Sequence, residues 1–219
     1  MSDFEVELKK MAVNDSSSLV RAVAISILSK NYKHDGSLLS VYKNALNDSS
    51  YTVETEGLNA IASVNKEGAL KYARQLENTD EPDMLLGIAS VYSQYGSDSN
   101  NTFFEKIAGQ LTGFEPEVEY VSVYGQFLKQ RSSNNTNVTN GVDIIANIYQ
   151  HGSNRIAKFY ARSALQQILA GYQDKEGVLN EQIAGLQKNN PNDTQITALQ
   201  NKLSDDKVVE KRISNIIGQ

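Results

Sequence analysis

His34 and His151 are the only histidines in a chain of 219 residues, and no cysteine accompanies them. A zinc-hydrolase helix needs two ligands four residues apart on one face, and neither histidine has a second His or a Glu at that spacing. Both read as solvent-exposed loop residues. Zero cysteine removes disulfides, thiolate catalysis and Cys-ligated zinc together. No Gly-x-Ser-x-Gly turn and no phosphate-cradling glycine loop occurs; "GQLTGFEP" (109–116) reads as a helix end and a turn. Glu115, Glu117 and Glu119 invite a metal or acid–base reading. The economical alternative is a helix N-terminus, where negative charge contributes about 0.3–1 kcal/mol. Asp205 and Asp206, before "KVVEKR", take the same explanation. Among eleven tyrosines, Tyr42 and Tyr72 fall at matching helical positions and read as packing residues. Tyr92, Tyr95, Tyr120, Tyr124, Tyr149, Tyr160 and Tyr172 read as partly exposed, with hydroxyl tips in water. No residue is assigned a catalytic, cofactor-binding or metal-binding role.

With little chemistry to position, the elements themselves carry the information. Net charge is −5 and the pI is about 5.1, and no basic face stands out, which argues against a nucleic-acid partner. No run of about 18 apolar residues is present to span a membrane, and "MSDFEVELKK" lacks a signal-peptide core. The composition is that of a soluble protein. It leaves a cytoplasmic and a periplasmic or secreted location equally open.

The chain repeats itself. "KKMAVNDSSSLV" (9–20) returns 33 residues later as "YKNALNDSSYTV" (42–53) with seven of twelve positions identical. After the first copy, Leu19, Val20, Val23, Ala24, Ile27 and Leu28 fall at helical spacing, with Asp15 and Ser16 as N-cap candidates. After the second, Val53, Gly57, Leu58 and Ile61 take the corresponding face. Leu38, Leu39, Tyr42, Ala45 and Leu46 predict a helix between the copies, and Ala69, Leu70, Tyr72, Ala73 and Leu76 predict its counterpart. Each unit is a helical hairpin that cannot cover its own apolar face, so a stack of such units is expected. Burying one Leu-sized side chain contributes roughly 1.5–3 kcal/mol, and only a neighbouring unit can supply the cover.

Helical spacing continues through 81–96, 101–111, 115–131, 141–152, 153–173, 176–190 and two closing segments, giving about a dozen helices and no strand. Pro82, Pro116 and Pro191 stand where helices begin or loops bend. Residues 132–140 and 189–193 read as loops between units. Gly57, Gly87, Gly109 and Gly125 are expected to sit at close helix contacts that offset a cost of up to ~1 kcal/mol each. The fold class is therefore all-α, an α-α superhelix of stacked helical hairpins, one repeat domain over residues 1–219. Phe4, Val6, Leu8 and Met11 read as an apolar face without a neighbour, so a fragment of a longer protein is expected.

Two resemblances add function. "DSSSLVRAVAISIL" (15–28) resembles the HEAT-repeat signature, with Asp15, Val20, Arg21, Ala24 and Leu28 in its places. In that family the Asp and Arg form a ladder between units; the second copy keeps Asp48 but has Glu54 where Arg is expected. Over roughly residues 1–175, the ordered run from "NDSSSLVRAVAISILSK" through "IASVYSQYG", "FFEKIAGQLTGFE" and "YGQFLKQR" looks like the C-terminal helical region of bacterial M1 family zinc aminopeptidases, especially Bacteroidetes-type members. The resemblance implies a non-catalytic domain packing over an N-terminal catalytic domain, its partner, and shaping access for peptides whose far ends it can contact. Zinc and the HExxH and GxMEN-like motifs belong to that other domain and are absent from this sequence. The alternative is a free-standing HEAT-type scaffold that binds another protein.

Overall fold

The computed structural model describes residues 3–190 and 192–218, so Met1 and Pro191 lie outside the described residues. Eleven α-helices and two 3-10 turns make up the described residues, with no strand among them. The all-α class follows directly from the helical spacing of apolar residues. The chain falls into two compact units, Met1–Leu111 and Thr112–Gln219.

The first unit contains α1 (Asp3–Asn14), α2 (Ser18–Asn31), a 3-10 turn (Gly36–Leu38), α3 (Leu39–Ala45), α4 (Tyr51–Val64), α5 (Lys66–Leu76), α6 (Pro82–Tyr95), a second 3-10 turn (Asp98–Asn100) and α7 (Asn101–Ile107). Helices α2, α4 and α6 lie side by side, while α1 and α3 back them and α5 packs on α4 and α6. This is the stack of helical hairpins that the repeat implies. The repeated Asn-Asp-Ser-Ser is its connector. The Asp15 carboxylate accepts from the Ser17 amide at 2.8 Å, and the Asp48 carboxylate accepts from the Ser50 amide at 2.9 Å. Each aspartate thus holds the turn that opens α2 or α4, whose N-caps are Ser17 and Ser50. The cap positions lie two residues after the aspartates rather than at them.

Close approach fixes the spacing of this layer. A Cβ on Gly57 would lie 2.7 Å from the Ala45 Cβ and 3.0 Å from the Tyr42 carbonyl, and one on Gly87 would lie 2.7 Å from Thr55. Gly125 is tight against Ala164 in the same way, but Gly109 follows the end of α7 in open space and makes no such contact. On α1 the buried stripe is Glu5, Leu8 and Ala12. Leu8 is therefore covered, whereas Phe4, Val6 and Met11 are exposed.

The second unit contains α8 (Phe114–Gln130), α9 (Asn135–His151), α10 (Arg155–Asn189) and α11 (Thr194–Ile217). Helix α10 packs on α8, α9 and α11, and α9 also meets α8 and α11. Tyr120, Tyr124, Phe127, Leu128, Val142, Ile145, Leu165, Ile168 and Ile213 fill this core. Segments 153–173 and 176–190 form one helix of 35 residues, roughly 52 Å long, rather than two. Asp174-Lys175-Glu176 offers no breaker, and Tyr172, Leu179 and Ile183 continue one buried stripe across it. The closing segments are likewise one helix, because Asp206, Val209, Ile213 and Ile217 keep a single buried face. Helix α9 starts at Asn135, six residues before the expected Gly141. The Asn134 side chain accepts from the Thr136 and Asn137 amides and starts the helix inside the apparent loop.

Candidate functional site

The seam between the repeats is the most specific polar feature of the first unit. Arg21 of α2 donates through Nε to Asp48 Oδ2 at 2.8 Å and through Nη2 to Asp48 Oδ1 at 2.7 Å. Its Nη1 donates to the Asp15 carbonyl at 2.8 Å. One guanidinium therefore ties both copies of the Asn-Asp-Ser-Ser connector together. Two parallel hydrogen bonds to one carboxylate give the pair a fixed geometry as well as charge. The Arg21 hydrogen bond holds the Asp48 carboxyl below its ordinary pKa, and Asp48 raises that of Arg21.

The ladder stops after this rung. Glu54 stands at the next arginine position, and burial raises its pKa. Burial also raises Glu56, opposed by the Lys30 charge and a hydrogen bond with Ser26, which places Glu56 against α2. These carboxylates border a packing seam and do not converge on a cleft.

The second unit has a buried chain of polar groups. Tyr172 of α10 donates to Asn135 Oδ1 at 2.8 Å, and Asn135 Nδ2 donates to Asp206 Oδ1 at 2.9 Å. The other carboxylate oxygen of Asp206, Oδ2, is buried without a hydrogen-bond partner, as is Oε1 of Glu210. Burial, reinforced by Glu176 and Asp206, raises the Glu210 pKa. Glu176 meets Lys207 at 2.9 Å. Despite this density of carboxylates, no group of three or more acidic or histidine side chains suited to a metal ion exists among the described residues. Asp205 and Asp206 lie in mid-helix, so the N-terminal charge explanation does not apply to them.

An open groove of about 770 Å³ runs between α9 and α11, lined by Asp143, Asn147, Gln150, Lys211, Arg212 and Asn215 among others. Arg212 spans it with two 2.6 Å hydrogen bonds to Asp143. Donors and acceptors of both charges suit hydrogen bonding to an extended polar partner, but no nucleophile–base pair or paired acid lies in it.

No family model, curated protein or solved structure matches this chain.

The residues singled out by type are dispersed. His34 is exposed in the turn after α2, and His151 is exposed as the last residue of α9 rather than in a loop. Glu115 and Glu117 occupy the first turn of α8. Glu117 Oε2 also accepts from the Ser153 amide at 2.9 Å and hydroxyl at 2.7 Å, clasping the turn before α10. Tyr92, Tyr120, Tyr124 and Tyr172 are buried instead of partly exposed; among the seven, Tyr160 is exposed and lines a shallow cavity between α8 and α10. Tyr92 donates to Glu77, and burial pushes its pKa upward. Sequence reasoning missed the Tyr172–Asn135–Asp206 chain and the Arg212–Asp143 pair. Their partners are 71 and 69 residues apart in the case of the two aspartates, and no local pattern signals them.

Proposed function

We propose that this chain is the non-catalytic C-terminal helical-repeat domain of an M1-type zinc aminopeptidase, packing over a catalytic domain and shaping the access of peptides to it. The observation that carries the scaffold part is the Arg21–Asp48 seam joining two copies of one helical hairpin. It is a device for stacking, with no reactive group beside it. The peptidase part rests on the ordered sequence resemblance over roughly residues 1–175. Zinc is assigned to the catalytic domain, and no residue of this chain is given a part in holding it.

The α9–α11 groove favours a second reading, a free-standing HEAT-type scaffold that binds another protein through an open surface of mixed charge. The reading frame around the coding sequence separates the two: an upstream HExxH with a further Glu supports the peptidase domain, and a frame without them supports the scaffold. The isolated chain, assayed with added zinc on aminoacyl-anilide substrates, is expected to give no turnover above buffer. Robust turnover would overturn both readings.

A further inference from the structure

The internal repeat shows what belongs on a surface that is open in this structure. Helix α4 lies beside α2, and its residues Val53, Glu56 and Ala60 share one face. Glu56 on that face bonds with Ser26 of α2, and Val53 and Ala60 are completely buried. The 33-residue offset maps these positions onto Val20, Val23 and Ile27 of α2 itself. There Val23 is 48% exposed, and Val20 and Ile27 are only partly covered. Leu19 beside them is 67% exposed, and Phe4 and Met11 are exposed on α1. The first hairpin thus carries the apolar face that the second buries against its predecessor.

Charge marks the same surface. Asp48 receives Arg21 from the preceding hairpin. Asp15 is its equivalent and makes the same turn contact with Ser17, yet its carboxylate takes no guanidinium hydrogen bond among the described residues. An occupant that repeats the α2–α4 seam would bring an arginine there.

We infer that the α1–α2 edge is a docking face for a helical hairpin built like α1–α2, carried by the module against which this chain packs. That hairpin covers Val20, Val23 and Ile27 with small and apolar side chains and places an arginine on Asp15. The inference rests on the packing reading above but not on the peptidase assignment, and its test reads folding rather than hydrolysis.

The probe is an added copy of residues 3–35 joined directly to Asp3, in place of Met1 and Ser2, so that the 33-residue offset is kept. The extended protein should melt in one transition with Tm raised by about 2–4 °C or more, and the added segment should resist limited proteolysis. Asp15→Asn retains the turn-forming oxygen, and it should lower Tm more in the extended protein than in the original chain. Replacing the added copy's arginine, the equivalent of Arg21, with Met should lower the Tm of the extended protein toward that of the original chain. An added segment that stays protease-sensitive with Tm unchanged overturns the inference. So does a dimer of the original chain, seen by sedimentation and dissociated by Val23→Glu, because that result gives the face to a second copy. Survival of the docking result alongside a reading frame without HExxH would remove the peptidase assignment alone.

Discussion

In the first unit the ion pair that joins neighbouring hairpins links residues 27 apart, Arg21 and Asp48, through side chains that are largely covered. In the second unit Asn135 reaches Asp206 across 71 residues and Asp143 reaches Arg212 across 69. The first unit is assembled from short helices of 7–14 residues in repeated hairpins, the first two joined by that one seam. The second is assembled around α10, whose 35 residues meet three other helices. Short helices are marginal alone and draw their stability from a packed apolar face, so the repeat region depends on close approach between hairpins. A long helix offers one stripe to several partners, and its polar contacts occur where those partners happen to meet. Repetition leaves a signature in sequence, and long-range convergence does not.

Substitutions should break this contrast to different degrees. The largest effect is expected for Phe127→Ala in the second core, where the ring is fully buried beside Tyr124. Loss of about 3–5 kcal/mol in urea unfolding is expected, because truncation removes a fully buried ring and leaves a cavity among its packed neighbours. A loss below about 1 kcal/mol would mean that this core is not packed as described.

Next in size is Asp206→Ala, which strips the Asn135 amide of its buried acceptor and should cost about 1–3 kcal/mol. Asp206→Asn keeps an acceptor oxygen and removes a buried carboxylate oxygen that has no partner, so it should cost clearly less. Equal losses for the two variants would show that the polar chain contributes only through shape.

Glycine gives the most direct contrast between the units. Gly57→Ala drives a Cβ into Ala45 and the Tyr42 carbonyl and should cost about 1–3 kcal/mol. Gly177→Ala, in the interior of α10 with open space around it, should instead stabilise by up to about 1 kcal/mol. The signs are the test, read from urea midpoints. The smallest effect is expected for Arg212→Ala. Its pair with Asp143 has side chains 47% and 44% exposed, so the change should be about 0–1 kcal/mol and should shrink in high salt.

These differences also explain what could be read from the sequence. The hairpin repeat, the capped turns after Asp15 and Asp48, and the close contacts at Gly57, Gly87 and Gly125 follow from short-range pattern. The sequence predicts breaks after Gln173 and between the two closing segments at Leu203, where polar residues cluster, yet a polar cluster does not stop a helix whose buried stripe continues. Asn134 looked like loop composition and acts as a cap. Tyr92, Tyr120, Tyr124 and Tyr172 looked amphipathic, but Glu77 and Asn135 supply hydroxyl partners to Tyr92 and Tyr172 inside the protein. The groove between α9 and α11 was invisible, since it exists only once helices some 70 residues apart along the chain are brought together.

The central claim is that the Arg21–Asp48 seam locks the two copies of the repeated hairpin together. A double-mutant cycle on Arg21→Met and Asp48→Asn, read by urea unfolding at neutral pH, tests it most directly. Arg21 holds the Asp48 pKa below its unfolded value, so the pair's contribution is complete above the ordinary carboxylate range and is lost as pH falls through the lowered value. The account predicts a favourable coupling at neutral pH that vanishes in acid. A coupling near zero at neutral pH, or one that persists after Asp48 is protonated, would contradict it.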